Sequence, residues 1–142
     1  MGGFILKIWI QGVAATVGGF LGWFLGGLDG LVYALIAFIV IDYLTGFMRG
    51  ILKKKLNSKV GAEGIFKKIV MLLLVGVANI IDIYLVQSGN SPLRTAVIFF
   101  YVANEGLSIL ENACAIGLPV PQKLKDVVAQ FQKRDENGGD SK

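Results

Sequence analysis

The sequence predicts an all-α polytopic integral membrane protein of about four transmembrane helices plus a short amphipathic C-terminal helix, and three observations lead there. Of its 142 residues 54% are hydrophobic, and they gather in long uncharged runs. A crossing needs about 20 apolar residues, so four such runs consume more than half of the chain and leave one membrane domain with a short tail. Only 17% of the residues are charged, against about 25% in a soluble domain. The third observation is a basic segment between two apolar runs, RGILKKKLNSKVGAEGIFKK, with seven positive charges and one negative from Arg49 to Lys68. Helices are expected rather than barrel strands, because the apolar runs are long and do not alternate.

The first span, about residues 4–28, is rich in glycine. Ala14, Gly18, Gly22 and Gly26 recur every four residues and align on one helix face, where small side chains let backbones approach closely. This face is expected to pack against another helix, within the chain or in another subunit. The run exceeds a signal-peptide core and no cleavage site follows it, so it is expected to stay in the mature protein.

A turn at Asp29-Gly30 leads into a second span, about 31–52, with Asp42 near its middle. The basic segment follows as a loop, and Gly61-Ala62-Glu63-Gly64 is expected to turn the chain into a third span, about 69–86, with Asn79 and Asp82 towards its far end. Gln87-Ser88-Gly89-Asn90-Ser91-Pro92 reads as a loop, and a fourth span runs from about 94 to 116. Gly117, Pro119 and Pro121 end it, since proline lacks a backbone donor and clashes with the preceding turn. Leu124, Val127, Val128 and Phe131 then recur at helical spacing among Lys123, Lys125, Lys133 and Arg134. That pattern predicts an amphipathic helix over about 122–134, suited to a membrane surface or a partner helix. Residues 135–142 are expected to form a disordered tail.

Basic residues beside short loops resist translocation. Arg49, Lys53, Lys54, Lys55, Lys59, Lys67 and Lys68 therefore set the topology, with both termini and the basic loop cytoplasmic. They are also the residues expected to meet anionic lipid headgroups. The net charge of +4 is accounted for in this way without a nucleic-acid partner.

Polar residues inside the spans are the candidates for function. A charge at the bilayer centre costs about 2.5–3.5 kcal/mol on insertion scales, so Asp42 and Glu105, the most central, should face protein or water. Asn104, Ser108, Glu111 and Asn112 give the fourth helix a polar stripe. With Asn79 and Asp82 these form the candidate pore or polar set. Three readings stand open: an aqueous path, an ion or proton site, or hydrogen bonds that tie helices together.

Enzyme chemistry is not expected. There is no histidine, no nucleotide-binding loop, no nucleophile motif and no metal-ligand cluster, so neither cofactor nor metal is predicted. The lone Cys114 is expected to serve packing.

Two segments together resemble the toxin secretion/phage lysis holin family. IDYLTGFMRGILKKKLNSKVGAEGIFKK resembles its central segment through Asp42, Thr45, Gly46, Ser58, Gly61, Gly64 and Lys68. YVANEGLSILENACAIGLPVPQKLKD resembles its C-terminal signature through Asn104, Glu105, Ser108, Ile109, Glu111, Asn112, Gly117, Leu118, Pro119, Pro121 and Leu124. The likeness covers about residues 31–128 and leaves the first span largely outside. It implies a small protein that accumulates in the bacterial inner membrane, forms homo-oligomers and permeabilises it, releasing an endolysin or a secreted toxin. Two other readings fit the residues: a small ion or proton transporter using Asp42 and Glu105, and a non-conducting membrane scaffold.

Overall fold

The computed structural model describes residues 1–138, with side chains as far as Gln130. It contains five α-helices and no strand among the described residues: α1 (Gly2–Leu25), α2 (Gly30–Leu52), α3 (Ser58–Ile81), α4 (Pro92–Ile116) and α5 (Gln122–Gly138). A π-helical turn, Asp82–Val86, prolongs α3. Four helices are long and apolar enough to cross a membrane: α1, α2, α3 with its π turn, and α4.

Each boundary has a local cause. Gly26 closes α1 in the left-handed conformation, φ 81°, which glycine adopts without a Cβ clash. Asp29 caps α2, its Oδ1 accepting the Val32 N–H at 3.1 Å. Asn57 caps α3, its Oδ1 accepting the Lys59 N–H at 2.9 Å. Helix α3 therefore begins well ahead of the expected residue 69. Gly61-Ala62-Glu63-Gly64 is helical and does not form the turn into the span that was expected there. Low hydropathy argued against a span in this stretch, but it does not oppose a capped helix emerging from one.

Helix α4 starts with Pro92, which needs no hydrogen-bond acceptor. Its orphan donors at Leu93 and Arg94 are met by Asp82, at 3.1 and 2.8 Å. Gly117, φ 101°, ends the helix, with the Leu118 N–H bonded to the Ala113 carbonyl at 3.0 Å. Helix α5 then runs to Gly138, beyond the expected end at 134 and into the segment read as tail. Residues 139–142 of that tail lie outside the described residues.

Helix α4 is the centre of the bundle, packed on α2, α3 and α5. The apolar core of Leu25, Val32, Leu35, Val75 and Ile98 lies at the end carrying the α1–α2 and α3–α4 turns, here called the distal end. Val32, Leu35, Val75 and Ile98 are wholly buried there. Only the last turn of α1 docks: Phe24 lies over Gly76 of α3 so closely that any Cβ at position 76 would overlap its ring. No earlier residue of α1 is buried.

Helix α5 turns back along α4, where Val128 approaches the Gly106 backbone, with Phe38 of α2 on the same spot. Leu124 and Val127 stay about half exposed, so only part of the apolar stripe faces the bundle. Cys114, expected to pack, is exposed. It lies two residues from buried Asn112 and so points away from the face that α4 buries.

Candidate functional site

Two polar centres are built into the bundle, one at each end of the apolar core. The first joins residues near the middle of α2, α3 and α4. Lys68 Nζ lies 2.6 Å from Asp42 Oδ2 and 2.5 Å from Glu105 Oε2. These side chains are only 14%, 12% and 5% exposed, respectively. Asn112 Nδ2 donates to Asp42 Oδ1 at 3.2 Å and to Thr45 Oγ1 at 3.0 Å. Arg49 Nη1 reaches Asn112 Oδ1 at 3.4 Å. The Thr45 hydroxyl donates back to the Ile41 carbonyl at 2.9 Å. A chain of hydrogen bonds thus runs from Arg49 through Asn112 and Asp42 to Lys68 and Glu105. Such pairing is what permits carboxylates at this depth, where an unpaired charge is costly.

An open crevice of about 380 Å³ leads to this centre from the α2–α3 loop. Lys55, Asn57 and Lys67 stand along it with Tyr43 and Phe47, and Asp42, Lys68, Glu105, Ser108 and Asn112 line it more deeply. Gly46, Gly50, Gly61 and Gly64 also line it, and a Cβ at Gly64 would meet nothing within 4 Å. Small residues on both walls leave the space between α2 and α3 unfilled at this end.

The second centre is the distal clasp. Arg94, 4% exposed, binds Asp29 through Nη1–Oδ2 at 2.9 Å and Nη2–Oδ1 at 3.0 Å. Its Nε donates to the Leu25 carbonyl at 2.5 Å and Nη2 also to that of Gly27 at 3.1 Å. Asn79 Nδ2 donates to the Trp23 and Phe24 carbonyls at 3.3 and 3.2 Å. These donors satisfy the Phe24 and Leu25 carbonyls at the end of α1 and add to the Gly26 N–H on that of Trp23. The hydrogen bond from Arg94 holds the Asp29 carboxyl below the usual carboxylate range, against the opposing effect of desolvation.

The polar set read from the sequence is therefore split between two places. Asp42, Glu105 and Asn112 meet in the mid-bundle centre and Ser108 lines its crevice, whereas Asn79 and Asp82 belong to the distal end. Asn104 is half-buried and Glu111 exposed. Of the basic residues assigned to headgroups and topology, Lys68 instead turns inward to the carboxylates, because two anions nearby outweigh its hydration. Arg49, Lys53, Lys54, Lys55, Lys59 and Lys67 are exposed, and Lys55 and Lys67 line the crevice. In the small-residue stripe Ala14 is exposed, Gly18 has no neighbour within 4 Å, Gly22 approaches only Leu28, and Gly26 is the α1 cap.

Sequence reasoning missed Lys68 as a partner of Asp42, and missed Arg94 and Asp29 as a pair. A signal existed for each. Lys68 immediately precedes the apolar run, and Asp29 and Arg94 are opposite charges at turns assigned to the same side. Among the described residues no group of His, Cys, Asp and Glu side chains is arranged to hold a metal ion.

A family model described as the bacteriophage holin family matches residues 19–133, which takes in both polar centres. The chain belongs to the bacteriophage holin family. An uncharacterized protein of Listeria innocua is 46% identical to this holin-family chain over 86 residues, covering 61% of it and 58% of the relative. An uncharacterized 14.9 kDa protein of Clostridium perfringens is 42% identical over 81 residues, 57% of this chain and 61% of the relative. A Bacillus phage phi105 protein named "Probable holin" is 41% identical over 73 residues, 51% of this chain and 53% of the relative. The chain spans about three fifths of the length of the first curated relatives it matches. No solved structure matches it.

Proposed function

We propose that this holin-family membrane protein forms homo-oligomers in the bacterial inner membrane and permeabilises it without catalysis, allowing an endolysin or a secreted toxin to leave the cell. The observation that carries this reading is the family match across residues 19–133. Two structural features support it. Almost all of α1 is unpartnered, leaving its small-residue face free for another copy, and the bundle holds ionised side chains that lipid would reject. Both termini and the basic loop lie on the cytoplasmic side in this proposal, with the exposed lysines on anionic headgroups.

Inducible expression in bacteria, following membrane potential together with release of a cytosolic reporter enzyme after separate opening of the wall, tests the proposal. The expected result is a delay, then abrupt loss of potential, then enzyme release. Potential loss with the enzyme retained favours a small ion or proton pathway through Asp42 and Glu105. No change in either, at verified membrane expression, removes autonomous permeabilisation and leaves the scaffold reading.

A further inference from the structure

The mid-bundle centre contains two carboxylates and one ammonium group. With both carboxylates ionised, Asp42, Lys68 and Glu105 carry one net negative charge inside an apolar bundle. With one proton bound they carry none. The groups facing them do not alter this count at close range. Arg49 bonds the Asn112 amide, and Lys55, Lys67 and the Tyr43 phenol line the more open crevice. From α5, Val128 reaches Gly106 beside Glu105, and among the described side chains of that helix the half-buried charge is Lys125, about one turn away. Helix α1 brings no charge near; its docked end, Phe24, lies at Gly76.

The polar approach to the triad is from one end. Towards the α2–α3 loop the crevice is open, with the triad lining its deeper part. Towards the distal end, Val32, Leu35, Val75 and Ile98 are fully buried, and the Arg94 clasp lies beyond them. Lysines beside the crevice disfavour entry of a metal or organic cation, whereas a proton can pass along water.

We propose that Asp42, Lys68 and Glu105 form a binding site for one exchangeable proton, carried by one or other of the two carboxylates and reached through the crevice on the basic-loop side. Protonation removes the excess charge, and the remaining carboxylate stays paired with Lys68. The assignment stands on this geometry and does not depend on whether the chain permeabilises membranes.

Infrared spectroscopy of the full chain in lipid nanodiscs at neutral pH tests it, by counting protonated carboxyl groups through their C=O stretch. Exposed carboxyls are ionised there, so charge counting predicts one protonated group per wild-type chain from the triad, which Asp82→Asn, a change at the other buried carboxyl among the described residues, should leave in place. Glu105→Gln and Asp42→Asn should each show none, and Lys68→Met two. Gly64→Phe, which places a ring where the structure has open space, should keep the band and slow its exchange into D₂O by about tenfold. Absence of the band in the wild type, or its survival in both Glu105→Gln and Asp42→Asn, overturns the site. An unchanged exchange rate in Gly64→Phe overturns the crevice as its route. The wild-type count decides the first point even where a variant fails to fold.

Discussion

Arg94 of α4 grips Asp29 at the head of α2 through two parallel hydrogen bonds of 2.9 and 3.0 Å. The same guanidinium bonds the Leu25 and Gly27 carbonyls at the end of α1. One side chain therefore ties three helices together, with a planar fork that a lysine cannot reproduce. Asp82 fixes the backbone of that same arginine at 2.8 Å.

Replacing this arginine by methionine, Arg94→Met, leaves two carbonyls and a carboxylate without their donor. Hydrogen bonds to charged groups are worth about 1.5–3 kcal/mol each, and water can reach part of the site. A loss on the order of 3 kcal/mol is expected, measured by denaturant unfolding in detergent. Arg94→Lys should recover only a minor part of it.

Asp29 makes the clasp sensitive to acid. Its folded-state value is lowered, chiefly by the hydrogen bond from Arg94. Its stabilisation is therefore present above the unfolded value of about 3.8 and is lost as pH falls through the lower folded value. Asp29→Asn should be less stable than wild type at neutral pH, and the two should converge in acid. The side chain is 47% exposed, so solvent screening keeps the difference below that of Arg94→Met. Parallel pH profiles of the unfolding midpoint would remove Asp29 from the acid response.

At Gly76 the Phe24 ring occupies the place of a side chain. Gly76→Ala should push α1 off α3 at a cost of about 1–3 kcal/mol, the range for overpacked cores. Cysteine cross-linking between the last turn of α1 and the middle of α3 reads this directly: the yield should fall while helix content holds.

Gly18 offers the opposite case, since nothing lies within 4 Å of a Cβ there. Gly18→Leu should leave the stability of the single chain within about 0.5 kcal/mol of wild type, as for surface substitutions. Any effect should therefore appear between copies, as a change in oligomer size on native gels or by sedimentation. Unchanged oligomers and unchanged permeabilisation would exclude the stripe from assembly.

Glu105→Gln keeps the shape of the side chain and removes one of the two carboxyl groups that Lys68 bonds. With α3 less firmly tied to α4, potential loss in the expression assay should begin earlier than in wild type at equal membrane levels. Unaltered timing would show that the ion pair does not hold the closed bundle.

Much of the architecture is legible in the sequence. Four apolar runs give four helices long and apolar enough to span, and the terminators at Gly117, Pro119 and Pro121 follow the end of α4, because bilayer thickness and proline geometry act locally. The start of α3 was not legible: Lys59, Glu63 and two glycines look like loop when hydropathy is the guide, yet the Asn57 cap sets the helix going earlier. Residues such as Asp42 and Glu105 stand out by themselves, since a carboxylate deep in an apolar run is costly wherever it occurs.

Their partners do not stand out. Lys68 belongs by composition to the basic segment, and only the packing of α2, α3 and α4 turns it inward to two carboxylates 26 and 37 residues away in sequence. Asp82 and Asn79 resemble the other polar residues of the spans, but the fold uses them to cap α4 and to receive the end of α1. The sequence by itself determined the four long apolar helices and the end of α4, because those follow from local hydropathy and backbone chemistry. Which charges meet, and which glycine is crowded or free, was decided only by tertiary structure, because pairing depends on helix rotation and register set by the whole bundle.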